Sequence, residues 1–202
     1  MKGAGSVPSV PTLEELEIAD EPADWSALGF EVEDGVCQVS SVRLRLVGKG
    51  PRRGILGWKL AAQAAATPAP PQPNGVERID HLVLLSPDLD RTVEELRSDG
   101  FELRRIREGE TPGGSTRQAF FRLGEPILEV VQAPEGTSVA RNPDGPARLW
   151  GVAFLVDDFD ALGAALGELL GTARDAVQPG RKIATLRPEA GLGPAIAFMT
   201  PP

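Results

Sequence analysis

Residues 76–133 and 147–202 run through the same succession of local signals, and that repeat is what most narrows the folds open to this chain. In the first copy a strand-like run, His81-Leu-Val-Leu-Leu85, is followed by Ser86-Pro87-Asp88, where Ser86 or Asp88 can cap a helix that ends at Gly100. Three more strand signals follow: Phe101–Arg104, Gln118–Leu123 and Ile127–Val131, separated by a Pro112-Gly-Gly turn and by Gly124-Glu-Pro126. The second copy opens on Gly151–Val156, starts its helix at Asp157-Asp158, carries apolar residues at helical spacing from Phe159 to Leu170, and closes with strands around Lys182–Arg187 and Ala195–Met199. The order is strand, helix, then strands, so the expected class is α+β, built from repeated βαβββ modules. Aligned on the helix starts, Asp88 matches Asp158 and His81 matches Gly151. Aligned on the closing strands, Pro126-Ile-Leu-Glu-Val matches Pro194-Ala-Ile-Ala-Phe, so Glu129 matches Ala197.

Residues 1–60 read as a degenerate copy. Glu17-Ile18 begins it, a short helix spans Glu21–Leu28, and Val42-Arg-Leu-Arg-Leu-Val47 alternates as a strand with one wet face does. Its closing strand, Gly54-Ile-Leu-Gly-Trp58, sets Gly57 opposite Glu129. Residues 61–75 are rich in Ala and Pro, with Pro68, Pro70, Pro71 and Pro73 excluding both helix and sheet, and are expected to form an extended tether. The expected organisation is therefore an N-terminal module, a linker, and a two-module domain over 76–202.

Rare residues limit the chemistry. Among 202 residues there is one His and one Cys, so one chain cannot form a disulfide or a multi-histidine centre, and a reducing cytoplasm is the expected compartment. Cys37 has no His or Lys beside it in sequence to activate its thiol. The formal net charge of −8 opposes a nucleic-acid backbone, and no apolar run is long enough to span a membrane. The expected partner is a small molecule.

His81 and Glu129 are the expected catalytic residues. Glu129 interrupts the apolar run Ile127–Val131, and a carboxylate in such a strand faces a polar cleft or a partner. Placed together without a metal, the two form an acid–base dyad. Trp58, Phe120, Trp150 and Phe198 are the expected ligand-stacking aromatics; Phe120 and Phe121 must point to opposite faces, so one of them alone can reach a cleft. Arg104, Arg105 and Arg107 fit either an anionic substrate or a solvated strand face.

From Arg78 to Thr200, through Ile79-Asp-His-Leu-Val83, Gly151-Val-Ala-Phe-Leu-Val-Asp-Asp158 and the repeat itself, the chain resembles the vicinal oxygen chelate superfamily, which includes glyoxalase I, bleomycin-resistance proteins and extradiol dioxygenases. The resemblance implies a curved mixed sheet around a cleft, with one divalent metal (Fe, Zn, Ni or Mn) held from the first and last strand of each module. Carried over, it assigns His81 and Glu129 as metal ligands and finds Gly151 and Ala197 where the other two belong. A homodimer would bring a second His81 and Glu129. The expectation is a divergent glyoxalase-like protein that binds a small organic ligand with its metal site half lost; the alternatives are a divalent-metal-dependent lyase, isomerase or dioxygenase, and a non-catalytic assembly subunit.

Overall fold

The computed structural model describes residues 10–62, 67–111 and 114–201. The expected turn at Pro112-Gly113 and part of the Ala-rich run lie outside them. The middle third forms β5 (Val76–Ser86), α2 (Leu89–Ser98), β6 (Leu103–Thr111), β7 (Gly114–Arg122) and β8 (Ile127–Gln132). The last third forms β9 (Arg148–Val156), α3 (Phe159–Leu166), β10 (Arg174–Asp175), β11 (Lys182–Thr185) and β12 (Ala195–Met199). Asp88 Oδ1 accepts from the Arg91 amide at 3.0 Å and Asp158 Oδ1 from the Ala161 amide at 2.8 Å, so the same side-chain cap starts both helices.

These strands make one eight-stranded curved sheet in the order β10-β11-β12-β9-β5-β8-β7-β6. In each module the closing strand lies parallel to the opening one, and the two modules meet where β5 and β9 pair antiparallel. The registers reproduce the sequence alignment: Val83 pairs with Glu129 in one module as Ala153 pairs with Ala197 in the other. The sheet is α+β in class and mixed in direction.

The first third, β1 (Thr12–Ile18), α1 (Pro22–Ala27), β2 (Val36–Val39), β3 (Val42–Leu46) and β4 (Ile55–Ala61), keeps the βαβββ order but pairs differently. Its sheet runs β2-β3-β1-β4, with β4 antiparallel to β1 on the side away from β3. In the middle module the closing strand is parallel to the opening one, so the expected correspondence of Gly57 with Glu129 does not hold. Leu13, Leu16, Trp25 and Phe30 from this third join Phe121, Leu128, Phe154 and Phe198 in one buried core. The Trp25 ring meets Phe30 at 5.0 Å and Phe154 at 6.2 Å between centroids.

The described part of the Pro-rich stretch is fastened down rather than free. Gln72 Oε1 accepts from the Glu31 amide at 2.8 Å while its Nε2 donates to the Gln38 carbonyl at 2.7 Å, and Asn74 Nδ2 donates to the Leu28 carbonyl at 2.9 Å. Gly29 makes the last contact fit: its φ is +79°, and a Cβ there would stand 2.9 Å from that of Asn74. Among the described residues no helix is long and apolar enough to cross a membrane.

Candidate functional site

One face of the eight-stranded sheet carries α2, α3 and the N-terminal third; the other bounds a cleft of about 750 Å³, within the range of small-molecule sites. Alternation decides which side chains enter it. On β8 Leu128 and Val130 are buried in the core, so Ile127 and Glu129 face the cleft; on β7 Ala119 and Phe121 are core, so Gln118, Phe120 and Arg122 face it. On β5 the alternation breaks. Ile79 pairs with Phe154 and His81 with Ala153, so β5 contains one extra residue, Asp80, and this bulge turns Asp80 and His81 into the cleft together.

The polar groups then form a chain. His81 Nε2 lies 3.4 Å from Glu129 Oε2, and Gln118 Nε2 donates to Glu129 Oε1 at 2.6 Å. The Gln118 amide oxygen is buried with no hydrogen-bond partner among the described residues. His81 Nδ1 lies 2.7 Å from Asp80 Oδ2, and Asp80 Oδ1 accepts from Arg181 Nη2 at 2.6 Å. Burial pushes the Glu129 carboxyl above its ordinary range, opposed by the nearby charges of His81, Arg107 and Arg105. For Asp80 burial works in the same upward direction, but hydrogen bonds from His81 and Arg181 outweigh it and hold the carboxyl below its usual value. Around this chain stand Arg104, Arg105, Arg107 and Arg122 from β6 and β7, and Arg174 from β10. Arg105 covers the Phe120 ring at 4.7 Å.

The structure therefore brings together His81, Glu129 and Phe120 and separates the other expected aromatics. Phe198 is fully buried on the opposite face, 6.1 Å from Phe154, because Ala197 and Met199 take the cleft side of β12. Trp150 is 52% exposed at the start of β9 and does not line the cleft. Trp58 stacks on Phe101 at 6.1 Å and borders a separate cavity with α2 and Gly145–Ala147. These three placements correct the sequence expectation. Cys37 is buried, and its thiol is pushed up to about 12 by burial, which leaves it inert at neutral pH. Asp80, Gln118 and Arg181 were missed; a bulge and a partner 101 positions away leave no periodic trace.

The donor set does not fit the metal centre that the resemblance implies. Across the sheet His81 is in register with Ala153 and Ala197, and Glu129, through Val83, with Gly151 and Ala195, so the facing half supplies no ligand. Among the described residues no group of three or more His, Cys, Asp and Glu can hold a metal. The vacancy at 151 is fixed by packing: a Cβ there would sit 2.6 Å from the Ala195 carbonyl oxygen and 3.0 Å from its Cβ. Gly151→Ala is expected to cost about 1–3 kcal/mol through overpacking of the β9–β12 pair. A denaturant midpoint equal to the parent's would show that the strands have room there.

Comparison with known proteins gives the same fold. A methylmalonyl-CoA epimerase from Mycobacterium tuberculosis superposes with a TM-score of 0.51 at 21% identity, covering 63% of this chain and 90% of its own. A Streptomyces coelicolor methylmalonyl-CoA epimerase variant in complex with 2-nitronate-propionyl-CoA gives 0.50 at 26% identity, covering 62% and 94%. A methylmalonyl-CoA epimerase in complex with methylmalonyl-CoA and NH4+ gives 0.50 at 25%, with the same coverage. No curated protein matches the sequence. The family model described as a glyoxalase-like domain matches residues 79–195, more than half of the chain and the whole span from the bulge in β5 to the start of β12. With its paired βαβββ modules, the chain belongs to the glyoxalase-like domain family, within the vicinal oxygen chelate superfamily.

Proposed function

We propose that this protein binds a small organic anion in the cleft and moves a proton on it with Glu129 and His81, as a divergent glyoxalase-like protein that works without the superfamily's full metal set. The observation that carries this is the cluster of five arginines around the His81–Glu129 pair in a chain whose formal net charge is −8. Composition disfavours such a cluster, so its place is informative. Arg104 and Arg122 share Glu102 at 3.7 Å each, whereas Arg105, Arg107 and Arg174 have no carboxylate partner among the described residues. Guanidinium groups that line a cleft without a direct ion pair suit a carboxylate or phosphate on a ligand.

The inner end of the cleft suits proton transfer. Glu129 as a carboxylate takes a proton from an acidic C–H or O–H of the ligand, and the charge left on the ligand faces the guanidinium groups. His81 Nε2, beside Glu129, receives or returns that proton. Two of the similar epimerase structures are complexes with CoA compounds, which supports a carbonyl compound bearing carboxylate or phosphate as the class to try first.

The test is calorimetric titration of the full chain with malonate, pyrophosphate and an acyl-CoA at several salt concentrations. Arg105→Gln with Arg107→Gln is expected to weaken binding about 10- to 100-fold, the loss of one or two charge-assisted hydrogen bonds, and to flatten the salt dependence. Failure of the parent to bind any of the three at low salt, or equal binding by the double variant, would refute the assignment.

A further inference from the structure

Arg181 lies on the hairpin between β10 and β11 and is only 5% exposed, which is uncommon for a guanidinium and means that its charge is used internally. Its three nitrogens each have a partner: Nη2 donates to Asp80 Oδ1 at 2.6 Å, Nε to the Thr200 carbonyl at 2.7 Å, and Nη1 to Gln178 Oε1 at 3.2 Å. Asp80 in turn is the extra residue of the β5 bulge, and its other oxygen holds His81 Nδ1.

We propose that Arg181 is a positioning residue for His81: through Asp80 it fixes the imidazole in the form protonated on Nδ1, and so makes Nε2 the nitrogen that faces Glu129 and the ligand. A guanidinium stays charged and can only donate, so Asp80 beside it remains a carboxylate that can only accept. A carboxylate oxygen 2.7 Å from Nδ1 therefore requires the proton on Nδ1. In the neutral ring Nε2 is then left as the acceptor. Without Arg181, Asp80 would be a half-buried acid with one partner, free to rotate away or to take a proton itself.

A second consequence concerns the hairpin. Arg174 and Ala176–Gln178 line the cleft across from β6 and β7, and the same hairpin supplies Arg181 and its partner Gln178. An anion seated against Arg174 thus touches the segment that sets the imidazole, which links ligand binding to the orientation of the reactive nitrogen. This rests on the proposed function for its meaning, but the tautomer itself is a property of the protein alone.

The chain's single histidine makes the measurement unambiguous. Nitrogen NMR of histidine-labelled protein, taken above the imidazole's titration so that the ring is neutral, is expected to show the parent with the proton on Nδ1. Asp80→Ala and Arg181→Met are expected to move the proton toward Nε2, and Arg181→Lys to restore part of the parent's distribution. A folded Arg181→Met protein with the parent's tautomer would overturn the proposal and leave Arg181 as an anchor of the hairpin to Thr200. Should that variant not fold, Arg181→Lys, which keeps the charge but loses the planar fork, decides the matter, and an unchanged tautomer in it and in Asp80→Ala overturns the relay. Where the parent transfers protons, Arg181→Met is expected to lower the rate roughly 10- to 100-fold with anion affinity within about threefold, the pattern of misplacement rather than lost binding. A tautomer shift in a protein that binds no anion would refute the proposed function while leaving the positioning role intact.

Discussion

Under the proposed function, replacing Glu129 by glutamine is expected to lower the rate of solvent deuterium exchange into a bound carbonyl anion by about 10²- to 10⁴-fold while changing its affinity little. The substitution keeps the shape and keeps an oxygen for the Gln118 amide, which donates to Glu129 Oε1 at 2.6 Å, so the strand and its neighbours have no reason to move. What is lost is the proton acceptor. The arginines proposed to hold the anion lie on β6, β7 and β10 and are untouched, so the effect is expected on turnover and not on binding. Exchange followed by NMR or mass spectrometry checks the rate, and calorimetry checks the affinity. Equal exchange in parent and variant would remove Glu129 from the chemistry and shift attention to His81 alone.

The same variant carries a stability signature with a fixed sign. Glu129 is raised above its ordinary value mainly by burial, so between the unfolded and folded values the native state binds more protons than the unfolded chain, and stability falls as pH rises through that window. The contribution is complete below the unfolded value and lost above the folded one. Glu129→Gln removes this dependence, and at neutral pH the variant is expected to be at least as stable as the parent, with the difference shrinking as the solution is acidified. An acid that is both costly to keep ionised and aimed into a cleft is the kind of group that function retains.

How much of this was readable in the sequence depends on the distance over which each signal acts. The helix starts at Asp88 and Asp158 were legible because a cap is a local device, satisfied three residues on. The βαβββ order and the pairing of His81 with Glu129 were legible through the repeat, which carries long-range register by analogy of one half with the other. The cleft face was harder. In Ala195-Ile-Ala-Phe-Met199 both faces are apolar, so alternation could not say that Phe198 points into the core and Met199 into the cleft. Asp80 was invisible because neighbours in a strand point apart, and only the bulge makes it share the side of His81. The N-terminal third shows a different limit: element order survived, but β4 pairs with the edge of β1 away from β3, and nothing local in Gly54–Trp58 encodes that choice.

Trp25→Ala is expected to cost about 3–5 kcal/mol, and to do so in a single transition that includes the glyoxalase-like sheet. Trp25 is fully buried in the N-terminal third and touches Phe30 and Phe154, and Phe154 in turn packs on Phe198 in the last module, so the indole is a joint between the two sheets. Its Nε1 donates to Asp20 Oδ2 at 3.1 Å, while Asp20 Oδ1 accepts from the Gly193 amide at 2.8 Å, in the turn that leads into β12. Removing the indole leaves both a cavity and a buried carboxylate oxygen short of a donor, and burial already raises the Asp20 carboxyl above its usual range. For a chain of this length each kcal/mol is worth roughly 2–4 °C, so the melting temperature should fall by about 6–20 °C. Trp150→Ala, at an indole 52% exposed and outside the joint, should stay within about 0.5 kcal/mol of the parent and serves as the control. Two separate melting steps in Trp25→Ala would show instead that the N-terminal third is an independent unit laid against a sheet that does not need it.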